Sequence, residues 1–259
     1  MTPVVTFNIN ITELAILLAI IIRLGVVLFI LPIFNSTAVS APIKAMFVVS
    51  FSVMLFPFVS RYTPPIPFDP AALASVIMGE LIFGVFFALS MLIIVSAFQF
   101  AGDLLDFMMG FGFAQTAAPQ QGTTATVTSA FTQLLAFMIF LSINGHLIII
   151  GILVHSFKAI PVGSFTISAG LFKRMLMLSG MLFVLAIKLA APVLAVLLLT
   201  QIGLGLMAKF APQMNILATS FPLTITIGMI FLGITLVFWG RLGAQYFSRL
   251  FYFLNHFSK

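Results

Sequence analysis

Six apolar runs, each as long as a bilayer crossing or close to it, dominate this chain and leave it few folds. About 20 consecutive apolar residues cross the hydrocarbon core as a helix. The runs cover 14–34, 43–59, 71–101, 130–154, 176–199 and 216–239. Only 6% of the residues are charged, against about 25% in a soluble domain. That is too little polar surface to cover a soluble globule. The expected fold is all-α: a membrane-associated bundle, or a subunit buried among other hydrophobic subunits. The net charge of +6 comes from 11 basic residues scattered over segment ends and loops. They form no stripe, so no nucleic-acid partner is expected. There is no cysteine, which excludes disulfides and thiolate metal sites. The opening MTPVVTFNINITE lacks a basic region, so a cleavable signal peptide is not expected.

A plain six-span drawing fits poorly. The basic loop with Lys158, Lys173 and Arg174 and the tail with Arg241, Arg249 and Lys259 can share the cytoplasmic side. Lys44 then falls outside. Pro32 and Pro42 bracket the first turn, Pro192 and Pro222 sit inside the last two runs, and Gly203 and Gly205 precede Lys209. These residues predict interrupted helices of the kind found deep in protein or beside a cavity. Small residues recur four apart at Gly84/Ala88, Ala97/Ala101 and Gly240/Ala244. That spacing allows close helix packing, within the chain or against other subunits.

Between the third and fourth runs lies MMGFGFAQTAAPQQGTT, residues 108–124. Glycine and proline deny it a continuous helix. Non-helical backbone at membrane depth must be buried in protein or line an aqueous cavity. Methionine and phenylalanine can close a gap without a fixed partner.

Arg23, Glu80 and Lys188 are charges inside apolar runs, and such charges are costly and point to function. They can pair with one another, pair with another subunit, or face water. One acid cannot match two bases, so subunit contact or an aqueous face is favoured. Asp103 and Asp106 share a helix face near a predicted C-terminus, where the dipole disfavours carboxylates. An outside partner is therefore expected for them. An acid/base pair is the sharper alternative, but no other catalytic group joins them. HExxH, GxSxG and GxxxxGK[ST] are absent, so neither enzymatic chemistry nor nucleotide binding is expected. His146 and His155 are nine apart, which is not ligand spacing, and no metal or other cofactor is expected.

Four stretches carry a resemblance. They are RLGVVLFILPIFNSTAVSAPIKAM, GELIFGVFFALSMLIIVSAFQFAGDLLDFMMGFGFAQ, NGHL with a following FKAIPVG, and KLAAPVLAVLLLTQIGLGLMAKFAPQMNILATSFPLTITIGM. In this order the chain resembles the FliR family of type III secretion export-gate subunits, whose virulence members form the T family. The resemblance implies a single domain over 1–259, with a FliP-like portion over about 1–175 and a FliQ-like helical hairpin plus basic tail over 176–259. It implies FliP-like and FliQ-like hydrophobic partners, FlhA-like and FlhB-like export components, and unfolded protein substrates. The implied place is the bacterial inner membrane at the flagellar basal body, with much of the assembly on the periplasmic side. It further implies that residues 110–122 plug the closed channel. Met108, Met109, Gly110, Phe111, Gly112, Phe113, Pro119 and Gly122 would form that plug. Arg23, Glu80 and Lys188 would fasten the assembly or face its aqueous path. Lys44, Asp103 and Asp106 would contact neighbouring subunits. The family often has Asp-Pro in this loop where this chain has Ala118-Pro119, so no aspartate role carries over. The expected function is a non-enzymatic gate subunit, flagellar by resemblance, with the virulence counterpart as its nearest alternative. A secondary transporter is more distant, because no inverted repeat is evident.

Overall fold

The computed structural model describes residues 11–31, 40–66, 69–111, 126–165, 169–210 and 216–257. Seven helices occupy these residues: α1 (Ile11–Ile30), α2 (Ala41–Val59), α3 (Pro70–Met109), α4 (Val127–Ser142), α5 (Gly145–Ala159), α6 (Ala169–Phe210) and α7 (Ile216–Phe257). Among the described residues there is no strand. Five helices are long and apolar enough to cross a membrane, or six if α4 and α5 make one bent span. α3, with 40 residues, is about 60 Å long at ~1.5 Å per residue. That is twice a hydrocarbon core of ~30 Å.

Among the described residues, the break inside a predicted run falls at Ile143–Asn144. α4 and α5 meet there at 67°. Asn144 takes a left-handed φ of 54°, and its N–H closes the turn on the Leu141 carbonyl at 3.0 Å. Asparagine tolerates that backbone better than most residues. The interruptions expected at Pro192 and Pro222 do not occur, since α6 and α7 run through them. A proline removes one donor from the ladder without ending a helix that is otherwise held. Gly203 and Gly205 likewise lie inside α6, and the tail from Arg241 to Phe257 is a continuation of α7. Pro32 lies outside the described residues, while Pro42 sits in the first turn of α2, where a missing N–H costs nothing.

The chain divides into two compact units. One comprises Met1–Leu92, His146–Met175 and Arg249–Lys259; the other comprises Ile93–Gly145 and Leu176–Ser248. In the first, α1 packs on α2, and Ile20, Leu24, Phe83, Phe87 and Phe157 are fully buried. Gly84 lets α3 approach α1. A Cβ there would lie 2.8 Å from Val26 Cβ and 3.4 Å from the Arg23 carbonyl. Gly84→Ala is therefore expected to destabilise the fold by about 1–3 kcal/mol through overpacking. Thermal melting of the detergent-solubilised protein measures this, and adding Val26→Ala should recover most of the loss. In the second unit, Phe98 meets Trp239 edge-on at 5.8 Å and Phe140 meets Phe247 at 5.4 Å. Ala97 and Ala101 are buried in this core. Gly240 is different, because a Cβ there would meet nothing within 4 Å.

Candidate functional site

In the first unit, the apolar run of α1 places Arg23 opposite Glu80 of α3, and both are completely buried. Arg23 Nε donates to Glu80 Oε2 in a close contact, and Nη2 donates to Oε1 at 3.0 Å. The guanidinium also donates to the Ile160 carbonyl at 3.1 and 3.2 Å and to Ser156 Oγ at 3.4 Å. Glu80 Oε1 accepts the Gly163 N–H at 3.0 Å. The rings of Phe83 and Phe157 lie 4.5 and 4.4 Å from the guanidinium carbon. A bidentate fork with its remaining donors occupied is the arrangement that makes a buried charge tolerable. Gly163 reaches the carboxylate from a turn with φ 79°, where a Cβ would press within 2.9 Å of Val76.

This arrangement corrects the expectation for two of the intramembrane charges. Arg23 and Glu80 neutralise each other instead of facing a neighbour or water. The pair ties α1, α3 and the turn after α5 together. Glu80 is fully occupied there, so one base was bound to remain, and that base is Lys188. It lies in the other unit, exposed on α6, with Nζ donating to Tyr246 Oη at 3.2 Å. Lys44, in the first turn of α2, is partly exposed.

In the second unit, α3 ends where the glycine-rich segment begins. Gly110 has φ 88°, a value that favours glycine. The two residues before it are held firmly. Thr224 Oγ1 of α7 donates to the Met109 carbonyl at 3.1 Å, and Gln201 Nε2 of α6 donates to the Met108 carbonyl at 3.2 Å. Met109 is fully buried, with its sulfur and Cγ over Gly228, where any Cβ would collide. Gly110 itself lies on the Phe221 ring, and a Cβ there would come within 2.5 Å of it. A cleft of about 290 Å³ opens at this point, lined by Phe107, Met108, Gln201, Gly205, Phe221 and Thr224 among others. Phe107 is 77% exposed. Phe111, just past the end of α3, is partly buried. Gly112, Phe113, Pro119 and Gly122 lie outside the described residues.

Asp106 also departs from expectation. It is buried, and its Oδ2 accepts the Ser129 N–H at 3.1 Å and a close O–H from Thr126. Thr126 is the N-cap of α4, its hydroxyl accepting from Ser129 N–H at 3.3 Å. The carboxylate that sits badly at the end of α3 thus sits well at the start of α4, whose dipole has the opposite sign. An intrachain helix end takes the place of the neighbouring subunit expected for Asp106. Gly102 makes room, because a Cβ there would lie 2.6 Å from Ser129 Cα. Asp103, one turn earlier, is partly exposed.

Sequence reasoning did not find the shells around these groups. Phe157, Ile160 and Gly163 lie in the FKAIPVG stretch and Phe83 follows Glu80 by three, but nothing in their spacing linked them to Arg23. The seat of Met109 did leave a trace, since Thr224 and Gly228 are small residues four apart on α7. Among the described residues, no group of three His, Asp or Glu side chains is arranged to hold a metal.

Residues 14–250 match the family described as bacterial export proteins, family 1. The flagellar biosynthetic protein FliR of Pectobacterium carotovorum subsp. carotovorum is 31% identical over 220 residues, covering 85% of this chain and 84% of that protein. FliR of Bacillus subtilis (strain 168) is 27% identical over 218 residues, covering 83% of each. FliR of Aquifex aeolicus (strain VF5) is 35% identical over 162 residues, covering 61% of each.

Proposed function

Because this chain belongs to family 1 of the bacterial export proteins, we propose that it is the subunit that shapes and plugs the export gate of a flagellar type III secretion apparatus. It is an inner-membrane component of that apparatus and a structural one. Its working partners are FliP-like and FliQ-like hydrophobic subunits, joined by FlhA-like and FlhB-like export components. The substrates are unfolded proteins. Residues 1–175 supply the FliP-like portion and 176–259 the FliQ-like hairpin, with much of the assembly on the periplasmic side.

The observation that carries the plug is the anchored root at Met109–Gly110. A segment that must block a passage and yield to substrate needs one fixed end. Three contacts supply it: Thr224 to Met109, Gln201 to Met108, and Gly228 beneath the Met109 side chain. Beyond that root, Phe111, Gly112, Phe113, Pro119 and Gly122 form the closing segment. Bulky apolar groups exclude hydrated ions without binding solute. Methionine and phenylalanine can seal an irregular passage and re-pack when it opens.

Lys188 serves assembly. It is an exposed cation in the middle of the apolar run 176–199, so a carboxylate or another acceptor on a neighbour would stabilise it. Native mass spectrometry of the tagged chain, extracted gently from its host, tests the whole assignment. The expected result is one copy bound to several copies of two different small hydrophobic proteins. Lys188→Glu should lower recovery of that complex more than it lowers chain synthesis. A monomer or homo-oligomer, under conditions that preserve other membrane complexes, would refute the gate assignment.

A further inference from the structure

Within the second unit, α7 and the start of α4 form a hole of a size to receive one side chain. On α7, Met229, Leu232, Gly233 and Leu236 line it at positions i, i+3, i+4 and i+7. Four residues of one helix at that spacing make the socket into which a facing helix sets a knob. Val127, Thr128 and Phe131 of α4 close its side. The volume is about 200 Å³, and an apolar cavity of ~150 Å³ takes a benzene ring. Gly233 leaves the hole open, since a Cβ there would meet nothing within 4 Å. The same holds at Gly240, one heptad further along α7. Small residues of this kind let a second helix backbone lie close. Ile234 and Val237, between the two glycines, are exposed. One lining residue does not suit an apolar site. Thr128 is 2% exposed, and its Oγ1 has no hydrogen-bond partner among the described residues. A hydroxyl buried in that way is costly.

Resting on the export-gate reading, we propose that this hole seats one tyrosine or tryptophan side chain from an apolar helix of a neighbouring subunit. The ring packs on Phe131, Met229, Leu232 and Leu236, and its O–H or N–H donates to Thr128 Oγ1. The helix that carries it lies along α7, close to the backbone at Gly233 and Gly240. Tyrosine and tryptophan join a large apolar body to one polar tip, and that tip takes a partner when buried. They are also the side chains that most often anchor an interface from a central pocket. A lipid acyl chain would fill the hole but offer the Thr128 hydroxyl nothing, and a leucine or phenylalanine knob fails on the same ground. A water is no better placed. It would find one polar side chain in the lining, where a buried water makes about three hydrogen bonds.

The test replaces Phe131, on the exposed rim, by the photo-crosslinker p-benzoylphenylalanine in the full chain, within the assembly purified from its host. Mass spectrometry of the cross-linked peptides should place the attachment on a helix of another subunit, within one turn of a tyrosine or tryptophan. Thr128→Val then separates contact from fold. The isolated chain should melt at the same or a higher temperature, because a buried hydroxyl without a partner is removed. Retention of the cross-linked subunit should nevertheless fall about fivefold, the equivalent of one hydrogen bond of ~1 kcal/mol. Replacing the partner's aromatic by phenylalanine should cost the same fivefold, and nothing further in the Thr128→Val background. Gly233→Leu fills the open space and should release that subunit while leaving the melting of the isolated chain unchanged. Attachment to phospholipid alone, or to a second copy of this chain, would overturn the proposal. So would normal subunit retention in both Thr128→Val and Gly233→Leu. In each of these cases an intact assembly leaves the gate reading standing, whereas an unmodified chain that purifies without other subunits refutes both.

Discussion

Replacing Glu80 by alanine is expected to destabilise the protein by about 3–5 kcal/mol, enough to remove most of it from the membrane. The change strands the Arg23 guanidinium, which is completely buried between Phe83 and Phe157. Its acidic partner is lost, while the Ile160 carbonyl and Ser156 hydroxyl remain. Arg23→Ala should have an effect of similar size for the converse reason. The double replacement Arg23→Met with Glu80→Leu is the informative control. Removing both charges of a buried pair is often neutral or better. Here the Ile160 carbonyl and the Gly163 N–H lose their partners, at about 1–3 kcal/mol each. The double variant should therefore be more stable than either single one, but less stable than the wild type. Steady-state level and the thermal midpoint in detergent provide the readout. Strictly additive losses would mean that Arg23 and Glu80 do not act as a pair.

Deletion of residues 110–122 is expected to make cells leak ions and small solutes while the gate still assembles. The chain is anchored on the N-terminal side of the deletion by Met108 and Met109, and both contacts survive it. An intact permeability barrier around a stably assembled variant would refute the plug. A point substitution probes the same root more gently. Gly110→Ala introduces a side chain at φ 88°, against the Phe221 ring. Backbone strain of this kind costs about 1–3 kcal/mol, which is about a 5- to 150-fold change in an equilibrium. If the root holds the plug closed, Gly110→Ala should raise leakage in that proportion. Adding Phe221→Ala removes the collision but not the strain, so it should restore part of the seal. Solute uptake by energised cells, with chain level measured in parallel, distinguishes gating from loss of protein.

Much of the fold was legible because hydrophobicity is local. Each predicted run contains or overlaps a helix, and the end of α3 coincides with Gly110. Proline was the weaker guide. Pro192 and Pro222 predicted breaks, but their helices continue. Asn144-Gly145, which the sequence showed as part of an apolar run, makes the one sharp bend among the described residues. The difference is physical. A proline deletes one hydrogen bond from a ladder of many, whereas an asparagine in the left-handed region turns the backbone itself.

The candidate site was legible only in its components. The sequence by itself determined that Arg23, Glu80 and Lys188 are costly charges, that Asp106 faces an unfavourable helix end, and that a glycine-rich segment interrupts the apolar run. It could not say which charges meet, because electrostatic pairing depends on separation in space. Only the tertiary structure brought Arg23 to Glu80, 57 positions away, and to Ile160, 137 positions away. It likewise brought Asp106 to the N-terminus of α4 and Met109 to Thr224, 115 positions on. Apolar periodicity selects helices one at a time. Which polar groups then share a buried space is decided by how those helices pack, since a buried charge or carbonyl is stable only beside its partner.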